Sequence, residues 1–154
     1  TSFSKDLGLA GERIGFLAVH PSHPDRKELL GAAVFANRTL GFVNAPALMQ
    51  RVVARLEGAS VDIEKYAARR RTFLDGLADA GYECVTPEGA FYLFPKAPID
   101  DDVEFIRALL EERILAVPGT GFALPGHFRL SYAVPLKSIE LALPGFKRVL
   151  DRLR

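Results

Sequence analysis

The sequence predicts an α/β fold in which a small mixed sheet is covered by helices. Before Gly81, apolar residues recur at helical spacing, as in the run of Phe73, Leu74 and Leu77. After Gly81, the pattern changes to short alternating apolar runs, separated by turn residues such as those at 86–89. We therefore expect a sheet of about four short strands that packs against helices.

The composition is that of an ordinary globular protein. Of the 154 residues, 49% are hydrophobic and 25% are charged, and the formal net charge is +1. This charge gives no reason to expect nucleic acid or an anionic membrane as a partner. No apolar run approaches the roughly 20 residues of a membrane span. The single cysteine, Cys84, cannot form an internal disulfide and favours a reducing compartment, so we expect a cytoplasmic protein.

The first third of the chain is expected to hold one strand and two helices. Residues 13–20 are largely apolar and predict a buried strand. A capping-box pattern at residues 25–28 predicts a helix that runs to about Asn37. Asn44 is the predicted cap of a second helix, with Pro46 in its first turn.

Gly58 is the expected boundary between two domains, residues 1–57 and residues 58–154. Directly after it, either Ser60 or Asp62 is expected to cap a long helix.

Four short strands are predicted in the remainder, at residues 82–85, 90–94, 114–117 and 128–133. Asp101 predicts the start of a helix between the second and third of these strands. The last helix has an apolar face from Ile139 to Leu153, but Pro144 conflicts with an unbroken helix. Either the helix kinks at Pro144, or a short turn precedes a helix that starts there.

Residues 1–15 place two serines, a lysine, three glycines and an arginine around one predicted turn. A phosphate-bearing aldehyde requires such a set. Lys5 can form an imine with the aldehyde carbon, whereas the hydroxyls of Ser2 and Ser4 and the planar fork of Arg13 can hold the phosphate. An ordinary surface loop is the alternative, and a lone Ser-x-x-Lys would favour it.

A second candidate is Arg129, which lies in the alternating run at residues 128–133. An arginine inside a half-buried strand needs an anionic partner, because burying the charge alone is costly. That partner is either a structural carboxylate or the carboxylate of a substrate. The other alternative is that Arg129 points to water.

The segment from Ser2 to Gly15 resembles the cofactor-lysine signature of class I/II aminotransferases, which are fold-type I enzymes that use pyridoxal 5'-phosphate (PLP). Every position of the signature carries an allowed residue type. The resemblance implies that Lys5 is the cofactor lysine and that Ser2 and Arg13 bind the phosphate, with Ser4 as a weaker candidate. The run around Arg129 is similar to the family's arginine motif, which implies that Arg129 grips the substrate α-carboxylate.

The resemblance covers essentially all of this chain but only the C-terminal part of an aspartate aminotransferase-like enzyme. It implies a C-terminal fragment of a fold-type I PLP-dependent transferase. Residues 1–57 would be the tail of the large PLP-binding domain, and residues 58–154 would be the small domain. The family's acidic partner of the pyridine nitrogen lies upstream of the lysine, so we expect the isolated chain to be inactive.

The implied function is transfer of an amino group between an amino acid and a 2-oxo acid through a lysine-bound aldimine. The resemblance also implies a homodimer. The same lysine and arginine would serve a PLP-dependent C–S lyase that works by β-elimination. The alternative from a different functional class is a folded lobe without catalytic activity.

Overall fold

A computed structural model describes residues 1–153. The chain divides into two compact units, of which the first is Thr1–Val61 and the second begins at Asp62. The assignment of these units to two domains of a larger enzyme stays a prediction. No helix within residues 1–153 is both long enough and apolar enough to cross a membrane.

The first unit is built from three α-helices and one 3₁₀ turn. They are α1 (Phe3–Asp6), the 3₁₀ turn Ala10–Glu12, α2 (Arg26–Thr39) and α3 (Ala47–Val53). The strand predicted at residues 13–20 is wrong, because the pairing found there is one isolated bridge between Ser2 and Gly15. A strand forms only where a neighbour supplies a ladder of hydrogen bonds, and the described part of this unit contains no second strand.

The two helices α2 and α3 are confirmed, but neither predicted cap is formed. Asp25 makes no side-chain cap, and its backbone N–H donates to Nδ1 of His23 at 3.2 Å. The residue before α3 is Pro46 rather than Asn44. Asp25 has φ −95° and ψ 28°, whereas a capping side chain reaches the first turn from an extended backbone.

The first unit buries little apolar surface. Ile14, at 5% exposure, is the one fully buried hydrophobic side chain among its described residues. On α2 and the loop after it, Phe35 and Phe42 expose 71% and 73% of their surface. The helices of this unit are therefore not arranged around a core of their own.

The second unit opens with the long helix α4 (Ile63–Ala80). Of the two predicted caps, Asp62 is the one that forms, since its side chain accepts the N–H of Lys65 at 3.1 Å. The helix ends at Gly81, whose φ of 97° is accessible to glycine at little cost. Both ends of α4 follow from residues within one turn of them.

The sheet has three antiparallel strands, β1 (Tyr92–Leu93), β2 (Val117–Pro118) and β3 (Phe128–Ser131), with β3 in the centre. Leu93 pairs with Leu130, and Val117 pairs with Arg129. The strand predicted at residues 82–85 is wrong, so the sheet has one strand fewer than expected. In that stretch the carbonyl of Glu83 accepts a single hydrogen bond from Lys96 N–H, which is too little pairing for a strand.

Two more helices, α5 (Asp102–Glu111) and α6 (Leu136–Leu153), complete the second unit. Asp101 caps α5 as predicted, accepting the N–H groups of Val103 and Glu104 at 3.0 and 2.9 Å. Helix α6 runs through Pro144, which excludes a helix that starts at that residue.

The core of the second unit consists of aromatic and aliphatic side chains from α4, α5, α6 and the strands. Its most buried members, at 0% exposure, are Leu77, Leu93, Phe105, Leu109, Phe128, Phe146 and Val149. The hydroxyls of the two core tyrosines are paired, since Tyr82 donates to the Phe146 carbonyl and Tyr132 to the Ala90 carbonyl, both at 2.9 Å. This core gives β3 and its neighbours a fixed support.

Candidate functional site

Ser2, Ser4 and Arg13 line one small cavity of about 200 Å³, together with Ile14 and Gly15. Backbone hydrogen bonds close the loop between them. Phe3 N–H donates to the Ile14 carbonyl at 3.1 Å, and Phe16 N–H donates to the Thr1 carbonyl at 3.0 Å. Residues eleven positions apart in sequence are thereby brought to one cavity.

Arg13 is held by its own loop. Its backbone is left-handed, with φ 51° and ψ 50°, a conformation that costs a non-glycine residue about 1 to 2 kcal/mol. Its Nη1 donates to the Ala10 carbonyl at 2.8 Å, which orients the guanidinium and leaves its other N–H groups for an anion. Such a strained residue is a pointer to function when its side chain faces a candidate site.

The serines and the lysine lie at the start of α1. Ser2 is the N-cap of α1, and its Oγ accepts the N–H of Ser4 at 3.3 Å. Because that bond uses a lone pair of Oγ, the hydroxyl proton of Ser2 stays available to donate. Lys5 follows in α1 and is exposed, and it is not among the residues that line the cavity. This separation suits a lysine that acts on the aldehyde carbon rather than on the phosphate.

The cavity depends on glycine at position 15. A Cβ atom there would lie 2.6 Å from the backbone carbonyl oxygen of Thr1 and 3.2 Å from the Cα of Ser2. Any side chain would push apart the segments that carry Ser2 and Arg13. The cavity thus combines hydroxyl donors, a guanidinium and a close backbone approach, and these residues fit the phosphate of PLP.

Arg129, in the second unit, lies on the central strand β3 and is half-buried. Within residues 1–153, no carboxylate lies within 4.0 Å of its guanidinium, so the structural salt bridge that the sequence allowed is not formed. Its Cζ instead lies over two aromatic rings, 4.5 Å from the centroid of Tyr92 and 4.1 Å from that of Phe122.

The loop that carries Phe122 is fixed by a buried acid, Asp102, which is 3% exposed. Its carboxylate accepts the backbone N–H of Thr120 at 2.6 Å and the Thr120 hydroxyl at 2.8 Å. Burial raises the pKa of Asp102, but the hydrogen bonds to its carboxylate, those from Thr120 foremost, together outweigh burial and lower the pKa below its ordinary value. Asp102 therefore stays ionised while it holds this loop.

Three of the five predicted site residues share one cavity, Lys5 stands beside them in α1, and Arg129 belongs to the other unit. Sequence reasoning did not find the aromatic contacts of Arg129 or the role of Asp102. The signal available was the aromatic run at residues 89–94 and the Pro-Gly loop at residues 118–121, which resemble segments near the family's substrate pocket. Aromatic residues are also plain strand formers, so that signal does not predict which side chain they touch.

The fold is that of class I and II aminotransferases. The family model described as "Aminotransferase class I and II" matches residues 1–144, and the chain belongs to this family. Members of the family use PLP.

Among its relatives, an aspartate aminotransferase from Geobacillus stearothermophilus is 43% identical over an alignment 166 positions long, which covers 96% of this chain and 39% of the relative. An aspartate aminotransferase from Thermotoga maritima is 33% identical over 150 residues, 97% of this chain and 38% of the relative. A crystal structure of an aminotransferase from Eubacterium rectale superposes with a TM-score of 0.86 at 40% identity, covering 98% of this chain and 38% of that one. The chain thus spans about two fifths of the length of these relatives.

Proposed function

We propose that this chain supplies the cofactor lysine, the phosphate cradle and the carboxylate-binding arginine of a PLP-dependent aminotransferase. The observation that carries the proposal is the cavity lined by Ser2, Ser4 and Arg13, with Lys5 next to it in α1. An ordinary surface loop has no need of a strained arginine, nor of a glycine whose replacement would separate the two sides of the cavity.

PLP, when bound, supplies an aldehyde carbon and a ring that withdraws electrons from the substrate. The chain's own residues bind and orient. Arg13 and Ser2 hold the phosphate through charge-assisted and hydroxyl hydrogen bonds, and Ser4 adds a third donor. The amine of Lys5 is the group that holds the cofactor and that moves a proton at the substrate α-carbon.

Arg129 is proposed to bind the α-carboxylate of the substrate. A guanidinium matches a carboxylate through two parallel N–H···O bonds, and this geometry fixes the α-carbon as well as the charge. The substrates are an amino acid and a 2-oxo acid. Two of the relatives are named aspartate aminotransferases, so aspartate is the first substrate to test. A homodimer and a cytoplasmic location belong to the same proposal.

Trapping of PLP tests the assignment of Lys5 on this chain itself. The chain is mixed with PLP, reduced with borohydride and digested, and mass spectrometry then measures the label at each lysine. We expect Lys5 to carry most of the label, and Arg13→Ala to reduce that label without changing the label at surface lysines such as Lys65. Pyridoxal, which lacks the phosphate, is the matched control and should label Lys5 no better than the others. Equal labelling of all lysines by PLP would contradict the proposal.

Steady-state kinetics separate the roles of Lys5 and Arg129. They are measured in the enzyme of full family length that contains this chain. Lys5→Ala should abolish turnover, since no other group can take its place. Arg129→Ala should lower kcat/KM by about two to four powers of ten, because hydrogen bonds to charged groups contribute about 1.5 to 3 kcal/mol each. It should still bind PLP and keep its colour. Release of pyruvate in place of 2-oxo-acid-dependent transfer would identify the C–S lyase instead.

A further inference from the structure

Arg129 is held by aromatic rings rather than by a counter-charge. It is half-buried on the central strand, and within residues 1–153 its guanidinium has neither an anionic partner nor a hydrogen-bond acceptor. Its only described contacts of charge or ring type are the faces of Tyr92 and Phe122, at 4.5 and 4.1 Å from Cζ. A cation in this setting is stabilised by the rings rather than by a counter-charge.

A ring face and a carboxylate use different parts of a guanidinium. The ring quadrupole attracts the cation at its carbon, whereas the five N–H groups point outward in the guanidinium plane. Contacts at Cζ therefore restrain the side chain and leave the donors that a carboxylate needs. A structural carboxylate would restrain Arg129 equally well, but it would occupy those donors.

Phe122 is fixed by contacts on two sides. It ends the 3₁₀ turn Gly119–Phe122, which the two hydrogen bonds from Thr120 to Asp102 anchor to α5. The ring of Phe94 packs edge-on against Phe122, with 5.7 Å between centroids. Phe122 is nevertheless 43% exposed, so burial of its own surface does not explain why it is held so firmly.

Tyr92 approaches from a different element. It lies on β1, where it pairs with Ser131 of β3, two positions beyond Arg129 on the same strand. Side chains two apart on a strand lie on the same face, so this register brings the Tyr92 ring near Arg129. The two rings thus reach one guanidinium by independent routes.

We propose that Tyr92 and Phe122 are positioning residues, which hold the Arg129 guanidinium in one orientation so that its N–H donors are ready for a substrate carboxylate. The proposal rests on the proposed function, because it takes Arg129 as the carboxylate-binding group. Ordering a long side chain at binding costs about 0.5 to 1.5 kcal/mol, which corresponds to an affinity about two- to tenfold weaker when the rings are lost.

The first measurement is the NMR signal of the Arg129 side-chain Nε–Hε group in this chain, assigned by its loss in Arg129→Lys. Ring currents shift the signal of a group that lies over an aromatic face. Phe122→Leu and Tyr92→Leu should each move it toward the position of a free arginine. The conservative variants Phe122→Tyr and Tyr92→Phe, which keep the rings, should leave it in place.

Tyr66→Leu is the matched control. It removes another ring that lies beneath an arginine, Arg69, at 5.3 Å within α4. It should move the Arg69 signal and not that of Arg129. An Arg129 signal that stays unchanged in both leucine variants would overturn the proposal, since the rings would then not hold the guanidinium in solution.

The second measurement is a titration with succinate, a dicarboxylate without an amino group, followed at the same Arg129 signal. We expect binding about two- to tenfold weaker in the leucine variants and unchanged affinity in Phe122→Tyr and Tyr92→Phe. Equal affinity in all of these variants would overturn the positioning role. If Arg129 of the unmodified chain did not respond to succinate while its signal still depended on the rings, the carboxylate role of Arg129 would fail instead.

Discussion

Gly119→Ala tests how rigidly the loop beside Arg129 is built. Gly119 is buried at the start of the 3₁₀ turn, and a Cβ atom there would lie 2.7 Å from the carbonyl oxygen of His127 and closer still to that of Leu124. Both obstacles are backbone atoms, so neither can rotate away. Both segments also form hydrogen bonds with Gly119: its N–H donates to the His127 carbonyl at 2.8 Å, and its carbonyl accepts Leu124 N–H at 3.0 Å.

The expected loss follows from these contacts. Overpacking of a tight interior costs about 1 to 3 kcal/mol, and each neutral hydrogen bond that the displaced backbone weakens is worth about 0.5 to 1.5 kcal/mol. We therefore expect Gly119→Ala to lower the free energy of unfolding by about 2 to 6 kcal/mol.

The same loop offers the control. A Cβ atom at Gly121 would meet nothing within 4 Å, so Gly121→Ala should change the free energy of unfolding by less than about 0.5 kcal/mol. Gly76→Ala should fall between the two. The nearest atoms to its Cβ atom would be Cδ1, Cδ2 and Cγ of Leu143, the last at 2.9 Å, and this side chain can change rotamer where a carbonyl group cannot.

These differences are measured by urea unfolding, with tyrosine fluorescence as the signal from the second unit. All four tyrosines lie in the second unit, at positions 66, 82, 92 and 132, so the signal reports on that unit alone. Unfolding midpoints that coincide for Gly119→Ala and Gly121→Ala would refute the reasoning, because the carbonyl groups would then be free to move at no cost.

Three further results are expected. The pKa of Asp102 is lowered on folding, so its stabilising contribution is present above the ordinary carboxyl pKa and is lost as the pH falls through the folded value. In Asp102→Asn, the free energy of unfolding measured between about pH 2 and 6 should therefore decrease less steeply as the pH falls. Tyr82→Phe should cost about 0.5 to 1.5 kcal/mol in urea unfolding, since it removes the buried hydrogen bond to the Phe146 carbonyl, and an unchanged midpoint would mean that this bond contributes nothing. Because Phe35 and Phe42 expose large apolar surfaces, the chain should self-associate at micromolar concentration, and a sharp monomer boundary in sedimentation velocity would contradict this.

The helices of the second unit could be read from the sequence because their ends are local. Asp62 and Asp101 cap the N–H groups of the turn that follows them, and Gly81 adopts the left-handed backbone that ends α4. Each of these contacts joins residues within four positions of one another. The same locality explains why the cavity of the proposed phosphate site could be anticipated, because Ser2 and Arg13 lie in one short loop.

Strands and side-chain partners were decided by the tertiary structure. Residues 13–20 and 82–85 have the apolar pattern of strands, yet a strand also requires a neighbour with free N–H and C=O groups, and the pattern does not contain that neighbour. The position of Arg129 in a strand was predictable from its own segment. Its two aromatic contacts were not, because Tyr92 is brought to it by the pairing of β1 with β3, and Phe122 by a loop that Asp102 anchors. Contacts between distant segments depend on register and packing, which are properties of the assembled sheet and core rather than of any one stretch of sequence.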